Sequence, residues 1–163
     1  MMIQGEHEGV EGFCESLEES FCGLSLNQKH LAEFYKHVIG LYFNTVKSDV
    51  LDSYINKYRF KLAEYLFTER DYKQALALFK TIIRTNTDKN LDHEMTECCC
   101  VYACLIVILC KRPEYIHKHI SEIREMTSDF EESVQYLTVQ RIIESYLNKN
   151  YQGIEDAVWL CLI

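Results

Sequence analysis

The sequence predicts an all-α protein, a stack of about seven helices arranged as hairpins. Three observations predict it. Apolar residues recur at three- and four-residue spacing through most of the chain, the period of one helix face. Only one Pro and six Gly interrupt 163 residues, too few for a turn-rich β fold. Polar clusters with turn chemistry separate the periodic stretches, at Glu69–Asp71, Thr85–Asn90 and Asn148–Asn150.

Taken in order, Met1–Gly12 is acidic with little to bury and reads as a disordered arm ahead of a helical domain over 13–163. Phe13, Leu17 and Phe21 follow at i, i+4 and i+8. Two readings stay open for them: a short first helix covering the end of the core, or an acidic peptide that docks in a groove of this molecule or of a partner. Ser25-Leu-Asn-Gln28 fits a capping box for a helix running to about Thr45. Its apolar face is Leu31, Phe34, Tyr35, Val38, Ile39, Tyr42 and Phe43, and Gly40 within it is expected to permit a close helix crossing.

Ser48-Asp49 starts a long helix through Phe67, with Val50, Leu51, Tyr54, Ile55, Tyr58, Leu62 and Leu66 at helical spacing. After the turn Glu69-Arg70-Asp71 a second helix is predicted to end near Arg84–Asn86. Thr85–Asn90 then reads as the clearest loop in the chain. The next helix, Asn90 to Lys111, is apolar on nearly every side of its middle, as suits a helix with neighbours on both flanks. Pro113 sits at a helix start, the favoured helical place for Pro. Ser128-x-x-Glu131 reads as a second capping box for a helix over Asp129–Leu147, and Tyr151–Ile163 as the last helix.

The most apolar run, Val101–Cys110, is shorter than the ~20 residues of a membrane span and reads as buried. No basic region followed by an apolar stretch opens the chain. The expectation is a cytoplasmic protein, with the nucleus as the other possibility, whose eight Cys are reduced. The net charge of −8 is uneven. Residues 1–20 hold six Glu and no Lys or Arg, which leaves 19 acidic against 17 basic residues, a net of −2, in the rest. An almost neutral body with an acidic arm argues against nucleic acid and against membrane insertion as partners.

Cys98, Cys99, Cys100 and Cys104 form the most concentrated chemical feature, with His93, His117 and His119 nearby in sequence. Zinc sites pair closely spaced ligands on turns, and neither C-x-x-C nor H-x-x-x-H occurs here. Core packing is the expected role of these thiols, since Cys is among the most buried residue types. His117 and His119 do not share a helix face. The acid pairs Glu131-Glu132 and Glu155-Asp156 sit near helix starts, where carboxylates suit the dipole. With no phosphate loop, G-x-S-x-G or H-E-x-x-H, no catalytic residue, cofactor or metal is expected.

One stretch carries a motif. From Tyr54 to Arg84, Leu62-Ala63 and Leu66 precede Tyr72, Ala75, Phe79 and Ile82. This order of helix, tight polar turn and helix resembles a tetratricopeptide (TPR) unit, with Leu-Ala in place of Leu-Gly and Tyr-x-x-Ala-x-x-x-Phe intact. Arg59 and Thr87 stand where the pattern has Trp and Pro. The resemblance covers about one repeat of roughly 34 residues. It implies an irregular right-handed α-solenoid whose units bury their faces only by stacking. It also implies a protein-binding job.

Some TPR proteins hold acidic chaperone tails with Lys, Arg and Asn on the first helix of each pair. The matching positions here are Phe60 and Glu64, so an apolar or basic partner is expected at Tyr58, Phe60, Glu64 and Tyr65. A second contact surface is expected at the last helix, where Trp159, Leu162 and Ile163 lack cover; a partner, a second copy or a further repeat would stack there.

The sequence thus reads as a non-catalytic interaction module, a scaffold subunit or fragment of a larger assembly. A PCI-type subunit of a proteasome-lid-like complex is one alternative, and TPR-like repeats of trafficking and cell-cycle complexes fit equally well. A metal- or redox-linked regulator using Cys98–Cys104 is another.

Overall fold

The computed structural model describes residues 12–13, 15–20, 28–43 and 49–160. The expected disordered arm lies outside these residues except for Gly12, which is helical, and so do Ser25 of the first capping box and the last three residues of the chain.

Every regular element among the described residues is helical. Helical residues 12–13 and 15–20 are followed by α1 (Gln28–Phe43), α2 (Asp49–Thr68), α3 (Tyr72–Lys89), α4 (His93–Cys110) and α5 (Pro113–Arg124). A 3₁₀ turn (Ser128–Glu132), α6 (Val134–Leu147) and α7 (Tyr151–Leu160) complete the order. Each of α1 to α4 packs on the next, α4 packs on α5 and also on α6, and α6 packs on α7. This neighbour-on-neighbour stacking makes the protein an all-α helical-repeat fold.

Three helix ends are built the same way. After α2, α3 and α6 the chain passes through a left-handed residue that is not Gly: Arg70 (φ 64°), Asn90 (φ 51°) and Lys149 (φ 56°). At each, the following amide reaches back five residues: Asp71 N–H to Leu66 O at 2.9 Å, Leu91 N–H to Asn86 O at 2.9 Å, and Asn150 N–H to Ser145 O at 2.8 Å. This pairing satisfies carbonyls that a helix end otherwise leaves orphaned. The next helix then starts on a side-chain cap. The Asp71 carboxylate accepts from Gln74 N–H at 3.2 Å and Asp92 from Met95 N–H at 2.9 Å.

The α2–α3 hairpin places its small and large residues as their spacing requires. Ala63, Ala75, Phe79 and Ile82 are all fully buried, with Leu62 and Leu66 beside them. Tyr72 is half-buried and meets Phe67 edge to face, centroids 5.6 Å apart. Between α1 and α2 a ladder of rings, Tyr42–Tyr54 (5.3 Å), Tyr54–Tyr58 (5.1 Å) and Tyr35–Tyr58 (5.9 Å), continues the core.

Four expectations are corrected. Thr85–Asn90 is not a loop: α3 continues to Lys89, because Asn86 turns inward to a buried polar partner and Lys89 pairs with Asp49 and Asp52 of α2. Ser128–Glu131 does not open a long helix. It forms the 3₁₀ turn, with Phe130 buried, and Ser133 caps α6 by accepting from Tyr136 N–H at 3.1 Å. Val50, in the first turn of α2, is exposed and lies off the buried face of that helix. Gly40 is exposed, and among the described residues a Cβ there would meet nothing within 4 Å, so it makes no close crossing with them. The close crossing lies at Gly153, where a Cβ would come within 2.5 Å of Ser145 Oγ.

Taken whole, α4 is long and apolar enough to cross a membrane by length and composition. In this fold it is the central helix, burying Cys99, Cys100, Ala103, Cys104, Ile106 and Val107 among α3, α5 and α6.

Candidate interaction surface

On α2 the core side is Tyr58, Leu62, Ala63 and Leu66. Lys57, Lys61 and Glu64, at i, i+4 and i+7, rise on the adjoining face that helical geometry gives them. The Lys61 ammonium sits 5.9 Å from the centre of the Tyr35 ring and 5.8 Å from that of Tyr58, over two faces of negative π density. It pairs with Glu18 of the N-terminal helical segment, and Tyr35 Oη donates to the same carboxylate at 2.9 Å. One turn earlier Lys57 Nζ donates to Glu15 at 2.7 Å. The hydrogen bond to Glu15 raises the Lys57 ammonium above its ordinary pKa and, in return, holds the Glu15 carboxyl below the usual carboxylate range.

Beside these lysines a cleft of about 570 Å³ opens between α1, α2 and α4, lined by Leu31, Tyr35, Lys61, Glu64, Tyr65, Phe67 and Tyr102 among others. Its wall is a set of rings. Tyr102 stacks on Phe79, centroids 4.8 Å apart and planes within 5°, and meets Phe67 (5.2 Å) and Phe60 (6.0 Å) edge-on. Tyr102 Oη donates to Glu64 at 2.8 Å. Burial, with the Glu64 charge behind it, pushes the Tyr102 phenol up to about 12. The arrangement offers charge, aromatic area and a groove, which suits gripping a peptide.

Of the residues expected at a partner surface, Phe60, Glu64 and Tyr65 lie together, half-buried, around this cleft and its ring wall. Tyr58 does not join them. It is fully buried, its hydroxyl 3.0 Å from that of Tyr54, and belongs to the core. Leu162, Ile163 and the side chain of Trp159 lie outside the described residues. On the same face Lys57 and Lys61 hold two carboxylates of the chain's own N-terminal segment. Sequence reading missed Lys57, Lys61, Tyr35 and Tyr102. One signal was present: Lys57/Lys61 (i, i+4) and Glu15/Glu18 (i, i+3) each lie about one helical turn apart, with opposite charge.

The cysteine cluster divides. Cys99, Cys100 and Cys104 are buried free thiols and Cys98 is exposed. Burial raises all four, Cys100 to about 12, which leaves little thiolate for redox or metal chemistry. Among the described residues no group of three or more His, Cys, Asp or Glu could hold a metal ion. His119 Nδ1 lies 3.0 Å from Glu122 on its own helix.

The family model "SNAP: Soluble NSF attachment protein, SNAP" matches residues 26–159, most of the chain. The chain belongs to the soluble NSF attachment protein (SNAP) family. Comparison with curated proteins and with solved structures gave no match. The SNAP family is one of helical, non-enzymatic protein-interaction adaptors, and the charged, ring-lined face of α1 and α2 lies within the matched residues. The acidic segment over residues 12–20 lies before the match begins.

Proposed function

We propose that this protein is a non-catalytic adaptor that holds protein partners within a larger assembly, with the α1–α2 face and its cleft as the working surface. The observation that carries the reading is the family match over residues 26–159, which sets the chain among helical adaptors. The cleft adds a place for a partner to sit: Tyr65, Phe67 and Tyr102 supply aromatic area, and Lys61 and Glu64 supply orientation. Clustered, partly buried aromatic and charged residues of this kind carry most of the energy of protein interfaces. SNAP-family proteins bind SNARE complexes, so a SNARE complex is the first partner to try, with NSF, which the family's name records, as the second. The match favours an attachment role over a PCI-type subunit or a redox regulator.

Affinity capture with the tagged full chain, followed by mass spectrometry, tests the reading. Wild type is expected to retain a defined set of proteins that Tyr65→Ala/Glu64→Lys loses and that a variant on the far side, His117→Ala/Lys118→Ala, keeps. Identical capture by all three would exclude the α1–α2 face as the working surface.

A further inference from the structure

We propose that the groove between α1 and α2 is a docking site for an acidic amphipathic helix, and that residues 12–20 of this chain are its built-in, displaceable occupant. The inference rests on the reading of this face as the partner surface.

Four observations carry it. The contact is charge-matched at helical spacing, Glu15 on Lys57 and Glu18 on Lys61, with Tyr35 donating to Glu18. The segment's charge is concentrated for this: residues 1–20 hold six Glu and no Lys or Arg, while the rest of the chain is nearly neutral. The segment lies outside the family match, which begins at residue 26. The hold is shallow at its outer end, since Phe13 is 63% exposed and Lys57 and Glu15 remain 40% and 46% exposed, while the Glu18–Lys61 pair one turn on is less exposed, at 14% and 31%. Solvated ion pairs of this sort are individually weak.

A weak contact persists when it is tethered, because the tether gives the segment an effective concentration on the order of mM at its own site. The same weakness makes it removable. The cleft runs on from Glu18 past Tyr65 to Tyr102, so a longer helix with the same acidic spacing covers more of it than residues 12–20 do. The segment then acts as a selectivity gate: a partner must bring two acids at helical spacing and an apolar continuation to displace it.

The test is fluorescence anisotropy with a labelled peptide of residues 9–24 carrying Cys14→Ser and Cys22→Ser, added to the full chain. Glu15→Lys/Glu18→Lys frees the groove in cis and is expected to bind the peptide at least tenfold more tightly than wild type does. That binding should weaken as salt rises from ~50 to ~500 mM, where screening shortens to a few ångströms. Adding Lys57→Glu/Lys61→Glu should abolish it. A peptide with Lys at both acidic positions should then bind Lys57→Glu/Lys61→Glu, a rescue that a misfolded variant could not give. Equal peptide binding by wild type and Glu15→Lys/Glu18→Lys, or binding indifferent to the lysine reversal, would overturn the proposal. The readout uses no external partner, so it fails or succeeds separately from partner capture.

Discussion

Asn56 of α2 donates from Nδ2 to Asn86 Oδ1 of α3 at 2.7 Å, with both side chains almost wholly buried. The pair is the centre of a chain of bonds. Arg59 donates to Asn56 Oδ1 at 2.9 Å, and Asn86 Nδ2 donates to the backbone carbonyl of Asp92, the cap of α4, at 3.1 Å. Two amides thereby fix the register of three successive helices. Asn86→Leu leaves the buried Asn56 Nδ2 without its acceptor, while the Asp92 carbonyl keeps the Thr96 amide and hydroxyl, and a buried orphan costs about 1–3 kcal/mol. Asn56→Leu/Asn86→Leu should cost less than the sum of the single changes, because no half-pair remains. Urea unfolding of the four proteins measures it; strict additivity would mean the bond does not couple α2 to α3.

Ala75 is the second point of control in that hairpin. It is fully buried in α3, which packs on α2. Ala75→Leu should overpack the crossing by about 1–3 kcal/mol. An unchanged melting temperature would show that the helices are not closely apposed there.

That hairpin was the most legible part of the chain. Its contacts are local and its spacing alternates small and large residues, so Leu62, Ala63, Ala75 and Phe79 could be placed from sequence. The end of α3 was misread for a physical reason: T-N-T-D-K-N has loop composition, but Asn86 has a partner 30 residues away that no local pattern displays. The face at α2 was half-legible. Phe60, Glu64 and Tyr65 followed from the repeat register. Tyr58 was misplaced because its aromatic ring reads equally as surface or core until Phe34, Tyr35 and Tyr54 close around it. Lys57 and Lys61 were missed because their acids come from a segment about 42 residues earlier.

Lys149 takes a left-handed conformation at the end of α6, which a side chain makes costly by roughly 1–2 kcal/mol. Lys149→Gly relieves that strain and loses part of the gain to the freer unfolded chain. A net stabilisation of about 0.5–1 kcal/mol is expected, read as a higher melting temperature. A loss of stability would show that the Lys149 side chain contributes more than its backbone strain costs.

The buried thiols set an alkaline limit. Burial raises Cys99, Cys100 and Cys104, Cys100 to about 12, above the ordinary thiol value of about 8.5. A folded pKa raised above the unfolded one gives stability that is complete below the unfolded value. It is lost as pH rises, because only the unfolded chain releases the protons. Stability should therefore fall from about pH 8.5 upward, by at most roughly 1.4 kcal/mol per pH unit for each thiol. Cys100→Ala/Cys104→Ala should flatten the decline while lowering stability at neutral pH. Denaturant midpoints between pH 8 and 10 check this, and an equal slope in both proteins would contradict it.

The central claim is that the α1–α2 face binds a protein partner. The most direct measurement is the dissociation constant of the purified full chain for its captured partner, by calorimetric titration, for wild type, Tyr65→Ala and the distant control Tyr151→Ala. Tyr65 lines the cleft, whereas Tyr151 is 74% exposed at the start of α7. The account predicts that Tyr65→Ala binds at least tenfold more weakly at unchanged melting temperature, while Tyr151→Ala binds like wild type. Equal affinity for wild type and Tyr65→Ala would contradict it.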